Sequence, residues 1–382
     1  MSTPEAPPVD PSRPQVGDRL ELDAGPIAHG GHVVARTGET GLVVFVRHAL
    51  PGERVVAVVT EDDGRFLRAD AVDVLEASPD RVERPCPYAG PGACGGCDLQ
   101  HAALPAQRRL KADVVREQLS RLAGLEVDVV VEPVPDAGTD GLRWRSRMQY
   151  VALPELQRGL RAHRSHDVVA VEDCPIEAPG AVTTTDGVPP APVVTERVTT
   201  AAGTRDFEVA GDGFWQPHVH APRVLVETVL ELGAPRPGER VLDLYAGVGL
   251  FTAYLAEAVG PTGAVTAVEG DRTATRLAAA NLADLPGVSV VTDRVDRALH
   301  RGIGAADLVV LDPPRVGAKR QVVRHLAALT PRAIVYVACD PAALARDVAY
   351  LAEQGYRMET LRAFDLFPMT HHVECVALFV PA

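Results

Sequence analysis

The sequence predicts an α/β protein: a doubly wound, mostly parallel sheet at the C-terminus, preceded by a small all-β, OB-like barrel and a mixed α+β middle segment. Three observations carry this expectation. From about Pro217 the runs VLDLYAG, AVTAVEG, VSVVTD, DLVVLDPP and AIVYVACD alternate with helical stretches, the order of stacked βαβ units. Between Gly17 and Leu75 short apolar alternations, such as Gly41-Leu-Val-Val-Phe-Val46, are broken by Gly-Gly, Pro51-Gly52 and Asp63-Gly64 turns, the spacing of a small barrel. Finally, 382 residues with 46% hydrophobic content can build several cores, and a prior of about one domain per 150 residues suggests two or three.

Taken in order, residues 1–14 are Pro-rich and polar and are expected to form a disordered lead-in. The barrel is expected over 15–77. The middle domain, 78–213, holds a cysteine cluster, a helix from Gln107 to Leu122, a strand from Leu142 to Leu153, and a Pro/Thr-rich loop from Ala178 to Val194. The doubly wound domain, 214–382, closes with strands near Glu359–Leu366 and Val373–Val380.

The net charge of −13 argues against a surface coated for non-specific nucleic-acid binding, because phosphate neutralisation needs clustered cations. A local patch is present nonetheless. Leu142 to His166 contains six arginines and Glu155 as its one acid, a local charge of +5. Strand alternation places Arg143, Arg145 and Arg147 on one face, about 7 Å apart, a ladder suited to RNA phosphates. The N-terminus has neither a basic nor an apolar leader region, and no run of about 18 apolar residues follows. A cytoplasmic monomer without membrane contact is expected.

Val241-Leu-Asp-Leu-Tyr-Ala-Gly-Val-Gly-Leu250 sets a carboxylate at a strand end and Tyr245, Gly247 and Gly249 in the turn before a helix. Ligands of such sheets lie at the carboxyl ends of strands, where glycines admit close approach. Glu269 ends the second strand, placed to accept hydrogen bonds from ribose hydroxyls, and Asp293 ends the third, near an adenine edge. GxGxxG is not completed, since Phe251-Thr252 follows Gly249, which disfavours a pyrophosphate cradle. The D-x-Y-x-G-x-G turn followed by two strand-end acids is the layout of an S-adenosylmethionine site.

After the fourth strand come Asp312-Pro-Pro-Arg315, and after the fifth Cys339, just before a helix starting near Pro341. The positive helix terminus would favour thiolate there, although such a cysteine taken alone is more often a buried core thiol. Of the six cysteines, Cys86, Cys94 and Cys97 form C-x7-C-x2-C with Cys174 as a distant fourth. Four thiolates suit an iron–sulfur cluster or tetrahedral zinc, and a reducing compartment argues against disulfides.

The chain resembles the RNA uridine-5 methyltransferases that carry a TRAM domain. The residues bearing the likeness are HALPGERV (48–55), CPYAGPGACGGCDLQH (86–101), CPI (174–176), FWQPH (214–218), DLYAGVGLF (243–251), LDPPR (311–315), ACDPAALARD (338–347) and HHVE (371–374). The resemblance implies a class I methyltransferase fold and S-adenosylmethionine-dependent methylation of uridine C5 in RNA, with ribosomal RNA favoured over tRNA. It implies Cys339 as the nucleophile on uracil and Glu374 as the proton-removing base. Gln216, Tyr245, Gly247, Glu269 and Asp312 would line the cofactor pocket, with Asp293 a further contact. Cys86, Cys94, Cys97 and Cys174 would bind a [4Fe-4S] cluster. Leu250, where relatives often carry a polar residue, and His218 depart from the family pattern. The rival readings are a tRNA enzyme, a same-fold enzyme acting on a small molecule, and a non-catalytic RNA-binding iron–sulfur protein.

Overall fold

The structure, a computed structural model, describes residues 13–38, 41–135 and 140–382. Most of the expected lead-in therefore lies outside the described residues. The chain forms two compact units: one takes in the described residues up to Gln107 with Arg161–Val169 and Met369–His371, the other Arg108–Leu160, Ala170–Pro368 and His372–Ala382.

The first unit contains β1 (Arg19–Asp23), β2 (Ile27–Ala28), β3 (His32–Arg36), β4 (Val43–Arg47), β5 (Arg54–Asp62) and β6 (Leu67–Glu76), in the order β1-β5-β6-β4-β3-β2. In β5 the alternating Val55, Ala57 and Val59 are buried, as period-2 patterning requires. Gly25 N–H donates to Val34 O and Val34 N–H to Pro26 O, both at 2.9 Å, which brings the end of β1 against β3 and curls the sheet as expected of a barrel. Phe45 is half-buried, packed edge-on against Phe66 at 5.1 Å between ring centroids.

The second unit holds α1 (Leu104–Ala123, from Arg108 on), β7 (Val131–Glu132), β8 (Arg145–Ala152), β9 (Arg158–Arg161, up to Leu160), β10 (Val168–Ala170, at Ala170 alone), β11 (Glu177–Thr185), β12 (Val194–Thr200) and β13 (Gly203–Val209). It continues with α2 (Ala221–Gly233), β14 (Arg240–Leu244), α3 (Leu250–Val259), β15 (Ala264–Glu269), α4 (Arg272–Asn281), β16 (Val288–Thr292) and α5 (Val295–Arg301). β17 (Leu308–Leu311), α6 (Lys319–Ala328), β18 (Ala333–Ala338), α7 (Pro341–Glu353), β19 (Tyr356–Phe364) and β20 (Glu374–Pro381) complete it.

The main sheet runs β16-β15-β14-β17-β18-β20-β19-β7. Its first five strands are parallel, and β20 and β19 pair antiparallel. Two cores flank it. Leu242, Leu244, Val309, Leu311 and Tyr336 pack with α1, α5, α6 and α7. The intervening Val241, Leu308, Val310, Val335 and Val337 pack with α2, α3 and α4. Strands buried on both faces read as continuous Val/Leu/Ile runs, which is why VLDL, DLVVL and AIVYV were legible. Strand order reverses between β14 and β17, the switch point at which such sheets bind ligands.

Three expectations are corrected here. The middle segment is not set apart between residues 78 and 213: Ala112, Val115 and Leu119 of α1 enter the main core and β7 extends the main sheet. The loop expected at Ala178–Val194 contains most of β11, which pairs in parallel with β8 across a register break between Glu177 and Val182; Pro179 and Gly180 fall in that break, so breaker residues mark a bulge rather than a loop. The basic strand begins at Arg145, because Arg143 has φ 56°, in the left-handed region that extended backbone excludes.

Candidate active site

The turn after β14 is shaped by three residues with positive φ: Tyr245 (63°), Gly247 (56°) and Gly249 (92°). A Cβ at Gly249 would lie 2.8 Å from Leu282, whereas nothing stands within 4 Å of one at Gly247. Gly249 thus serves packing, and Gly247 leaves open space at the switch point. Gly247 N–H donates to Glu269 Oε2 at 3.0 Å, and Asp271 N–H donates to Oε1 at 2.8 Å. The Glu269 carboxylate is therefore fixed before any ligand arrives, each oxygen keeping a lone pair. Asp293 accepts from Arg294 N–H and pairs with Arg301, both at 2.8 Å. Leu250 is buried in the core with α2 and α3.

Asp243, fully buried in β14, accepts from the Thr252 hydroxyl through Oδ2, while its Oδ1 has no partner. Burial pushes its carboxyl up to about 6. At the end of β17, Asp312 Oδ2 accepts from Gln216 Nε2 at 3.0 Å. Burial, opposed by that hydrogen bond and reinforced by Asp243, lifts Asp312 to about 7. Gln216 is itself held by the basic strand: Ser146 N–H donates to Pro217 O at 2.7 Å, the Ser146 hydroxyl to Gln216 O at 3.0 Å, and Val219 N–H to Trp144 O at 2.9 Å.

β18 and β20 pair with Ala338 opposite Cys375. The next pair along this antiparallel register is Cys339 and Glu374, so the two side chains expected to carry the chemistry end adjacent strands. Glu374 is 3% exposed; burial and then Asp312 raise its carboxyl well above the ordinary range. Burial, Glu374 and Asp312 push the Cys339 thiol up to about 12, against a smaller lowering by Arg315. This corrects the expectation of a thiolate favoured by the helix terminus. At α7 the Asp340 carboxylate caps the helix by accepting from Ala343 N–H at 2.7 Å, so that terminus is already neutralised by a side chain.

Asp243, Asp312, Glu374 and Cys339 thus form a chain of mutually coupled acids, and like charges in a low-dielectric site cannot all ionise. A cationic ligand is the natural complement. The donor set fits S-adenosylmethionine: a buried carboxylate oxygen without a partner at Asp243, an acid fixed at a strand end at Glu269, open space at Gly247, and acids whose ionised forms a sulfonium would favour.

Sequence reasoning assigns no role to Thr252, nor to His372 of HHVE, whose Nε2 lies 3.3 Å from Arg315 Nη2. Thr252 was legible only as part of a missing GxGxxG. His218, left unassigned by sequence, is buried, stacked on Trp144 at 5.6 Å between centroids, and accepts from His220 N–H through Nδ1 at 3.0 Å.

Of the three arginines, Arg143 pairs with Asp173 and donates to Cys174 O at 3.1 Å. Arg147 pairs with Glu196 at 2.9 Å and is mostly buried. Arg145 remains half-buried on the outward face of β8, its Nε donating to Arg147 O at 3.0 Å.

Cys86, Cys94 and Cys97 lie in the first unit and Cys174 in the second; all are buried, and none of the six cysteines forms a disulfide. A Cβ at Gly95 would fall 2.7 Å from His163 Cα, so CGGC includes a close backbone approach that only glycine allows. The donors fit a thiophilic centre in kind, but no three His, Cys, Asp or Glu side chains among the described residues converge as ligands of one metal ion. No helix among those residues is long and apolar enough to cross a membrane.

A model of the tRNA (Uracil-5-)-methyltransferase family matches residues 302–380, and a TRAM domain model matches residues 13–72. An RNA methyltransferase of Streptomyces avermitilis, itself described as uncharacterized, is 45% identical over 96% of this chain and 99% of its own. The 23S rRNA (uracil(1939)-C(5))-methyltransferase RlmD of Halomonas elongata is 33% identical over 94% of this chain and 89% of its own. The crystal structure of Pyrococcus abyssi tRNA (uracil-54, C5)-methyltransferase with S-adenosyl-L-homocysteine shares the fold, with a TM-score of 0.67, 21% identity, and coverage of 95% and 99%.

Proposed function

We propose, on the premise that the chain belongs to the TRAM-bearing RNA uracil-C5 methyltransferases, that it methylates uridine C5 in RNA with Cys339 as nucleophile and Glu374 as base. The observation that carries the assignment of roles is the register that makes Cys339 and Glu374 the next pair after Ala338 and Cys375.

Uracil C5 is too weak a nucleophile to attack a methyl sulfonium. Addition of the Cys339 thiolate to C6 pushes the C5=C6 electron pair into an enolate, which makes C5 nucleophilic. When bound, S-adenosylmethionine supplies the methyl group from its sulfonium and leaves as a neutral thioether. Glu374 then takes the C5 proton; the C5–H pair re-forms C5=C6, the C6–S bond breaks, and Cys339 recovers its thiolate. The coupled acids suit this order. Cys339 and Glu374 ionise more easily while a cation stands beside them, and Glu374 gains proton affinity once that charge is gone, at the step that needs a base.

Gln216, Tyr245, Gly247, Glu269, Asp293 and Asp312 form the proposed cofactor pocket. The proposed RNA is ribosomal. Full-length likeness to proteins named as 23S rRNA enzymes supports this, whereas the tRNA enzyme, at 21% identity, speaks for fold alone. Arg145 supplies an RNA phosphate contact. Purified protein with labelled S-adenosylmethionine should convert uridine to 5-methyluridine in 23S rRNA; label in tRNA alone would make it a tRNA enzyme, and none in either would remove the activity.

Cys86, Cys94, Cys97 and Cys174 are the proposed ligands of a structural [4Fe-4S] cluster. The support is a set of four buried thiols outside any disulfide. Anaerobically purified protein should contain about four irons and four sulfides per chain; stoichiometric zinc without iron would overturn the cluster.

A further inference from the structure

The motif that carries Cys339 ends in a buried acid to which the chemistry above gives no task. Asp347 lies on α7 and is 2% exposed. Its Oδ2 accepts from Ala318 N–H and from the Tyr336 hydroxyl, both at 2.6 Å, and its Oδ1 accepts from Lys319 N–H at 3.2 Å. Ala318 and Lys319 open α6, whose own N-cap supplies no side-chain acceptor. The loop between β17 and α6 is thereby held at both ends: Asp312 N–H donates to Leu244 O at 3.2 Å, and the far end hangs on Asp347. In between, Gly317 N–H donates to Pro314 O at 2.8 Å and closes a turn whose middle residues, Arg315 and Val316, are exposed. Gly317 stands at φ 76°, and a Cβ there would lie 2.7 Å from Asp347 Oδ2, so the turn sits directly on the carboxylate. All of these residues belong to the second unit.

We propose that Asp347 is a positioning residue that fixes the turn after β17, and through it the Arg315 guanidinium, relative to Cys339. The inference deepens the proposed function, in which Cys339 is the nucleophile. Cys339 lies between β18 and α7, and Asp347 follows about 10 Å along that helix at 1.5 Å per residue, so the thiol and the anchor share one rigid element. Tyr336, three residues before Cys339, binds the same carboxylate. Arg315 is the cation whose charge opposes burial, Glu374 and Asp312 at the thiol, and that pull weakens with distance. Its Nη2 also reaches His372 Nε2 at 3.3 Å. A carboxylate at the start of a helix can be no more than a cap, whose removal would loosen the site. The two roles predict opposite changes at the thiol. Loosening exposes Cys339 and speeds its reaction, whereas displacing Arg315 disfavours the thiolate and slows it.

The test is iodoacetamide alkylation of Cys339 in the ligand-free full-length protein at one fixed pH, read on the Cys339 peptide by mass spectrometry. Arg315→Ala should slow alkylation by about threefold or more, the effect of about half a pKa unit, and Asp347→Ala should slow it to a similar extent. The double variant should be no slower than Arg315→Ala alone, because Asp347 acts through Arg315. Asp347→Asn, whose amide oxygen can still accept from Ala318 N–H and the Tyr336 hydroxyl, should restore most of the rate. Arg332→Ala breaks the pair with Glu239 at the amino end of β18, which lowers stability away from the turn, and should not slow alkylation. If Asp347→Ala does not fold, Gly317→Ala takes its place, since its methyl pushes on Asp347 Oδ2 and removes no hydrogen-bonding group. Alkylation at or above the wild-type rate in Asp347→Ala or its replacement, an unaltered rate in Arg315→Ala, no recovery in Asp347→Asn, or additive effects in the double variant overturns the proposal. With RNA and S-adenosylmethionine, adding Asp347→Ala to Glu374→Gln should slow adduct formation by the same factor. If alkylation responds as expected and no variant forms an adduct, the positioning stands and the proposed nucleophile falls instead.

Discussion

Cys339 and Glu374 stand across from each other where β18 and β20 run out, one pair beyond Ala338 and Cys375. The proposed nucleophile directly follows a parallel strand of the doubly wound sheet, and the proposed base opens the antiparallel strand inserted beside it. The two steps they are assigned can be separated by mutation. Glu374→Gln should form the thiol adduct and transfer the methyl group but fail to release product, giving a retarded band on denaturing gels. Cys339→Ala should give neither adduct nor methylation while still binding cofactor. Methylation by Cys339→Ala, or normal turnover by Glu374→Gln, would show the roles to be misplaced.

The Cys339 thiol should be almost wholly protonated at neutral pH in the ligand-free protein, since burial and the neighbouring carboxyls raise it to about 12. Thiolate absorbance, read against Cys339→Ser, should appear only as pH climbs towards that value. Sinefungin, which carries a cationic amine in place of the sulfonium, should move the titration to lower pH, because a nearby cation favours the anion. Neutral S-adenosylhomocysteine should move it less. An ordinary cysteine titration in the free protein would contradict the coupled-acid picture.

Glu269 has both oxygens held by Gly247 and Asp271 N–H groups, so its carboxylate is pre-oriented for the ribose proposed to bind there. Glu269→Gln keeps the shape but replaces one acceptor with a donor. Binding of S-adenosylhomocysteine should weaken by about 1.5–3 kcal/mol, roughly tenfold to over a hundredfold. Unchanged affinity by calorimetry would place the ribose elsewhere.

The arginines of the basic segment should separate. Arg145→Ala should lower RNA affinity and reduce the dependence of log K on log salt by about one phosphate equivalent. Arg147→Ala should instead leave Glu196 half-buried without its counter-ion and lower stability by about 1–3 kcal/mol in urea unfolding, with the salt slope unchanged. The opposite assignment of effects would make Arg147 the RNA contact.

The sequence by itself determined the doubly wound sheet, the barrel and the positions of Tyr245, Gly247, Glu269, Asp312 and Cys339, because these follow from short-range rules. Buried parallel strands are unbroken apolar runs, and their ligand-facing residues are the ones that end them. Gly249 and Gly95 were visible as glycines, but the reasons differ: one avoids Leu282 and the other His163, and only folding brings those partners near. Tertiary structure alone decided that Arg143 leaves the strand and pairs with Asp173, since a left-handed residue and a partner 30 positions away leave no periodic trace. It alone decided the state of Cys339. Local sequence shows a helix terminus, which lowers a thiol, whereas in the fold burial first, and then Glu374 and Asp312, raise it; desolvation and like charge here come from residues distant in sequence, which no local pattern displays.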